Sequence, residues 1–207
     1  MTNLNAPKPR AWQRMLSGRR LDLLDPSPAD IDIDDIAHGL ARVARWNGQT
    51  VGVHAFSVAQ HSVLVADICD ALVPELVPQW RLAALLHDAA EYVVGDLISP
   101  FKTAIGRDYK SFELRLGSAI HRAFDIDDPL PDEIAATIKQ ADGIAAYYEA
   151  TRLAGFSEDE AALYFPLAGD TLPARLSDRL AALTACETRI AQAAFLEKFA
   201  LLRLSDG

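Results

Sequence analysis

The run Leu85-Leu86-His87-Asp88-Ala89-Ala90-Glu91 places three ionisable side chains among apolar neighbours. Buried without partners, each would cost roughly 1–3 kcal/mol, and more if charged. On a helix, His87 and Glu91 are four apart and Asp88 and Glu91 three apart, so all three project toward one neighbourhood. A salt-bridge network would satisfy them, and so would a metal ion. Two distant residues bear on the choice. His61 sits beside Val58, Ala59, Leu64 and Val65, where a lone histidine is more often a hydrogen-bonded core residue. Asp142 lies at the edge of the stripe Ile134, Ile138, Ala141, Ala145 and Tyr148, and carboxylates in such places are seldom unpaired. Together, His61, His87, Asp88 and Asp142 can bring two imidazoles and two carboxylates from three helices to one cation, with coordination positions left for water and substrate. A mixed set of this kind suits manganese, cobalt, iron, nickel or zinc better than calcium.

Helices must position these groups. Apolar residues recur at three and four positions through most of the chain, with almost no strict alternation, so the expected class is all-α, a helical bundle with short links. The spacing predicts helices over 36–46, 54–72, 79–94, 107–124 and 131–153, with one or two more within 176–204. Asn47-Gly48-Gln49, Pro74 with Pro78, Gly95, Ser99-Pro100 and Gly155 punctuate them. Asp30, Asp32, Asp34 and Asp35 suit the N-terminus of the first helix. The aspartates of 25–35 lack the spacing, central glycine and closing glutamate of a calcium loop.

A chain of 207 residues can bury one sizeable core, and one domain is expected, with 1–34 as an N-terminal extension packed on a bundle of 35–207. The formal net charge of −9 argues against duplex nucleic acid, whose binding needs a clustered basic surface. It leaves room for one small anion held by a metal and one or two local cations. Lys102, Arg107, Lys110 and Arg115 read as a solvated helix face. No stretch approaches the roughly 18–20 apolar residues of a membrane span, and Met1 to Arg20 is polar, with Pro7 and Pro9, unlike a signal peptide or anchor. No membrane association and a cytoplasmic location are expected. Cys69 and Cys186 read as buried thiols. The long Ala- and Leu-rich terminal segment would suit a homodimer or complete the core of a monomer.

The order His61, His87-Asp88, Asp142 resembles the HD-domain superfamily, named for its adjacent His and Asp metal ligands. Within it, the chain is similar to the bacterial 5′-deoxynucleotidases, which remove phosphate from deoxyribonucleoside 5′-monophosphates with a divalent metal. The words that carry the resemblance are Val58-Ala59-Gln60-His61-Ser62, His87-Asp88-Ala89-Ala90-Glu91, Gly95-Asp96-Leu97-Ile98-Ser99-Pro100 and Ala141-Asp142, within about 40–150. It implies an HD-domain helical bundle and one divalent metal ion held by His61, His87, Asp88 and Asp142. Glu91 then serves proton transfer or water orientation, Arg45 orients the phosphate, Trp46 packs on the deoxyribose, Asp96 contacts a sugar hydroxyl and Ser99 belongs to the same substrate loop. Two departures stand out: Arg45-Trp46 lies about one residue further from His61 than the family pattern has it, and Ile98 stands where a proline is common.

The activity so implied is metal-assisted hydrolysis of a small phosphorylated substrate, a nucleoside 5′-monophosphate, with water as the nucleophile. No nucleophile-elbow motif offers a covalent route. Taken alone, Arg45 also reads as a helix C-terminal cation, Trp46 as a core anchor and Asp96 as a turn residue. Rival functions are an HD phosphohydrolase acting on a nucleoside triphosphate or cyclic nucleotide, and a non-catalytic nucleotide or metal sensor. Glu91 favours catalysis, since a binding module needs no proton-transfer acid beside its metal.

Overall fold

Helices striped with apolar residues bury those stripes most completely when one of them is surrounded by the others. The computed structural model of the chain, which describes residues 11–97, 107–167 and 172–204, has this arrangement. An antiparallel hairpin of β1 (Trp12–Arg14) and β2 (Arg20–Asp22) precedes α1 (Ile33–Leu40), α2 (Val58–Leu72), α3 (Pro78–Leu85) and α4 (Glu91–Val94). Then come α5 (Arg107–Ala123), α6 (Asp132–Arg152), α7 (Glu158–Tyr164), α8 (Ala174–Ala181) and α9 (Thr188–Leu204). The central helix is α2, which packs against α3, α6 and α9. Ser57 starts it by accepting a hydrogen bond from the Gln60 N–H at 3.3 Å. Val58, Ala59, His61, Ser62, Leu64, Val65, Ala66, Ile68 and Cys69 are all buried along it. The expected all-α bundle is the observed fold, and among the described residues no helix is long and apolar enough to cross a membrane.

Three local departures from the expected elements shape the site. The first helix ends at Leu40 instead of running to 46. Arg45–Gly48 forms a separate 3₁₀ turn in which Trp46 (φ 57°, ψ 28°) and Asn47 (φ 51°, ψ 31°) are both left-handed, a conformation that costs non-glycine residues energy and needs support from the surroundings. The expected helix over 79–94 breaks at 86–90, where the hydrogen bonds shorten to three-residue spacing: the Ala89 N–H donates to the Leu86 carbonyl at 2.9 Å and the Glu91 N–H to the Asp88 carbonyl at 3.0 Å. On a continuous helix consecutive residues splay about 100° apart; the break lets His87 and Asp88 meet at one point. Helix α7, begun by a Ser157–Glu160 capping box, and the hairpin are both absent from the sequence reading. Strands of three residues are too short to show an alternation.

The N-terminal segment is tied to the bundle. Leu21 is fully buried, and Ser17 donates from its backbone N–H and its hydroxyl to the two Asp35 oxygens at 3.0 and 2.5 Å. Helix α1 in turn presses on α4. A Cβ at Gly39 would come within 2.7 Å of Tyr92 Cβ, so this crossing requires glycine.

Candidate metal centre

Helix α2 brings His61 to the centre of the bundle, fully buried, and α6 passes close enough for Asp142 Oδ1 to lie 3.2 Å from His61 Nε2. The turn between α3 and α4 supplies the other side: His87 Nε2 lies 3.3 Å from His61 Nε2, and Asp88 Oδ2 lies 3.3 Å from His87 Nε2 and 3.5 Å from His61 Nε2. One ligand atom each from His61, His87 and Asp88 falls within 4.8 Å of the others, and Asp142 joins the group through His61.

The outer nitrogens of both imidazoles decide what the inner ones can do. His61 Nδ1 stands 2.6 Å from Glu149 Oε1 and His87 Nδ1 stands 2.8 Å from the Ala84 carbonyl, and both of those oxygens accept. Each Nδ1 therefore carries the hydrogen, and in the neutral rings each Nε2 presents a lone pair. Two lone pairs 3.3 Å apart, with carboxylate oxygens on either side, cannot satisfy one another; they need a shared cation. With metal–ligand bonds of about 2.0–2.2 Å, ligand atoms around one ion stand roughly 3.0–3.5 Å apart. The separations here run from 3.2 to 3.5 Å. His–carboxylate and His–carbonyl bonds of this kind are also how proteins orient metal-binding imidazoles. The residues present fit a divalent metal.

The electrostatics agree. Burial and Arg45 pull the His61 imidazole down, yet Glu149, Asp142 and Asp88 outweigh them and hold it well above its ordinary pKa. Burial pushes Asp88 up, but the two imidazoles leave it well below the usual carboxylate range, and Asp142 is likewise lowered, chiefly by His61 against its own burial.

Behind His61 lies a carboxylate that the sequence reading passed over. Glu149 is fully buried, accepting from His61 Nδ1 at 2.6 Å, Trp46 Nε1 at 2.8 Å and Arg45 Nε at 3.2 Å. Burial raises its pKa, but Arg45, His61 and the Trp46 hydrogen bond bring it down to about 2. One carboxylate thus orients a candidate ligand, anchors a guanidinium and holds the left-handed turn at Trp46. The signal was available in the sequence: Glu149 lies seven residues, two helical turns, beyond Asp142 and so shares its face.

The remaining candidates gather around this hub. Arg45 Nη1 reaches Asp96 at 3.5 Å and Asp88 at 3.9 Å. Burial opposes its charge, but Glu149, Asp88 and Asp96 more than offset that and raise its pKa. The helix C-terminal reading of Arg45 does not hold, because α1 ends five residues earlier. The Trp46 ring sits against Phe156 and Phe165, with centroids 5.7 and 5.8 Å away. Asp96 is brought to Arg45 by the turn at Gly95, whose φ of 77° follows α4. Glu91 is buried at the first residue of α4. Ser99 lies outside the described residues.

No family model matches the chain. An uncharacterized protein of Rhodobacter capsulatus is 56% identical over 171 residues, covering 83% of this chain and 87% of that protein. The 5′-deoxynucleotidase YfbR of Salmonella typhi is 32% identical over 118 residues, covering 46% of this chain and 59% of that enzyme.

Proposed function

The chain belongs to one family with the Rhodobacter capsulatus protein, and from that premise and the centre built on His61 we propose that it is an HD-domain, metal-dependent phosphohydrolase. We assign it the hydrolysis of nucleoside 5′-monophosphates, the deoxyribonucleotides included, to nucleoside and phosphate. The observation that carries the reading is the spacing of the ligand atoms of His61, His87 and Asp88 at 3.3–3.5 Å, with Asp142 3.2 Å from His61 and both outer imidazole nitrogens already engaged. The similarity to a 5′-deoxynucleotidase supports the substrate class.

In this reading His61, His87, Asp88 and Asp142 hold one divalent ion. Such an ion, when bound, lowers the pKa of a coordinated water toward about 7 and polarises a phosphoryl oxygen. Glu91, three residues beyond Asp88 and buried, takes the proton from the attacking water or returns it to the leaving oxygen. Arg45 faces the phosphoryl oxygens with a guanidinium held in place by Glu149. Trp46 and Asp96 border the sugar, and Ser99, outside the described residues, is assigned to substrate contact by the resemblance alone.

Purified protein supplied with manganese or cobalt is expected to release inorganic phosphate from deoxyribonucleoside 5′-monophosphates in preference to triphosphates and cyclic nucleotides. Phosphate released only from the latter would retain the metal centre and reject the substrate. No release from any phosphoester by protein that holds its metal would reject the enzyme.

A further inference from the structure

Resting on that reading, one question of charge stays open. A phosphate monoester arrives as a dianion, and the groups so far assigned offer it no surplus of positive charge. Arg45, the guanidinium assigned to the phosphate, already faces Glu149 at 3.2 Å, Asp96 at 3.5 Å and Asp88 at 3.9 Å. Asp88 and Asp142 balance the charge of a divalent ion that they would hold. A further cation is required if the dianion is to be bound rather than repelled.

The fold supplies one beside Asp142. A cavity of about 280 Å³ is lined by His87 and Asp142 of the cluster and by His121, Leu130, Ile138 and Lys139. Its size is near the lower end for small-ligand sites, suited to a small phosphoester. Lys139 stands one turn before Asp142 on α6, so the two share a face. Lys139 has no ion-pair or hydrogen-bonding partner among the described residues. Lys198, on α9, is by contrast bound to two aspartates. Leu130 and Ile138 give the cavity an apolar wall, which strengthens a nearby charge by reducing the water that screens it.

We propose that this cavity is the phosphate-binding side of the site and that Lys139 supplies the positive charge that draws the phosphoryl oxygens to the metal centre. Arg45 then acts mainly as a positioning group locked to Glu149, and Lys139 is the group that substrate must meet to be bound.

The test is inorganic phosphate, the product, titrated calorimetrically into metal-loaded protein. Lys139→Met is expected to weaken phosphate binding by about tenfold or more and to raise KM for a deoxyribonucleoside monophosphate similarly, with metal content unchanged. Lys139→Arg should restore most of the binding, and Lys198→Met should leave it as in the wild type. Because Lys139 is exposed, its replacement leaves the fold intact. Equal phosphate affinity in wild type and Lys139→Met overturns the inference, as does a wild-type protein that binds metal but no phosphate. A wild type that binds phosphate through Lys139 yet hydrolyses no nucleoside monophosphate rejects the proposed function and leaves the anion site standing.

Discussion

Helix α2 passes two polar clusters, and they are built on opposite plans. Toward its C-terminus, Asp67 and Asp70 meet protein cations: Lys198 Nζ lies 2.8 and 3.0 Å from them, Arg179 pairs with Asp67, and Arg81 Nε is 3.3 Å from Asp70. Toward its N-terminus, His61 is ringed by His87, Asp88 and Asp142, whose ligand atoms all accept when both imidazoles are neutral, so that none satisfies another. In the first cluster the chain completes its own charge balance, which ties α2 to α3, α8 and α9. In the second it leaves the balance to be completed from outside. A cluster of acceptors without donors around the buried His61 is costly unless a cation joins it, so the contrast separates a staple from a candidate binding centre.

The strongest way to break the comparison is at the ligands. Asp88→Ala should reduce metal content from about one ion per chain to nearly none and lower phosphate release on the order of a thousandfold or more; elemental analysis showing undiminished metal would remove Asp88 from the set. Next comes the hub. Glu149→Ala leaves the buried Arg45 without its main counter-charge and frees the His61 ring, so denaturant unfolding should show a loss of about 3–5 kcal/mol. Glu149→Gln keeps the shape and removes the charge, and metal affinity should fall about 10–100-fold. If neither variant changes metal affinity, Glu149 belongs with the staple and the two clusters are alike.

Two smaller effects sharpen the contrast from the structural side. Gly39→Ala drives a methyl group into Tyr92 and should cost about 1–3 kcal/mol, because α1 and α4 must part; α4 follows directly on the His87-Asp88 turn, so metal affinity should weaken with stability. Lys198→Met should cost no more than about 1 kcal/mol and leave metal binding untouched. Burial lowers the Lys198 pKa, but Asp67 and Asp70 raise it beyond its ordinary value. Its contribution is therefore complete below about pH 10.4 and is lost only as pH rises through the higher folded value. The stability gap between wild type and Lys198→Met should stay constant from about pH 6 to about pH 9; a gap that closed in that range would contradict the pairing.

Much of this was legible in the amino-acid order. Apolar recurrence at three and four residues marks α2, α5 and α6 to within a few residues at each end, and His61, His87, Asp88 and Asp142 stand out because polar groups amid apolar stripes need a reason. The reading failed where local pattern and tertiary need diverge. Residues 41–46 continue an apolar, helix-compatible run, yet Arg45 and Trp46 leave the helix because Glu149, on α6, holds both side chains. Residues 79–94 read as one helix, and the break at 86–90 is visible only once His87 and Asp88 must face His61 together.

By itself the sequence determined the helical class and the types of group available for chemistry, since both are local: periodicity decides which faces are buried, and residue type decides which side chains can ligate a cation. Only the tertiary structure decided which of those groups share a point in space. Glu149 bonds to Arg45, Trp46 and His61 across separations of 104, 103 and 88 residues, and Lys139 lines the cavity that opens between elements carrying His87 and Asp142. Such neighbourhoods arise from how α6 crosses α2, and packing geometry between distant segments has no signature in the spacing of either one.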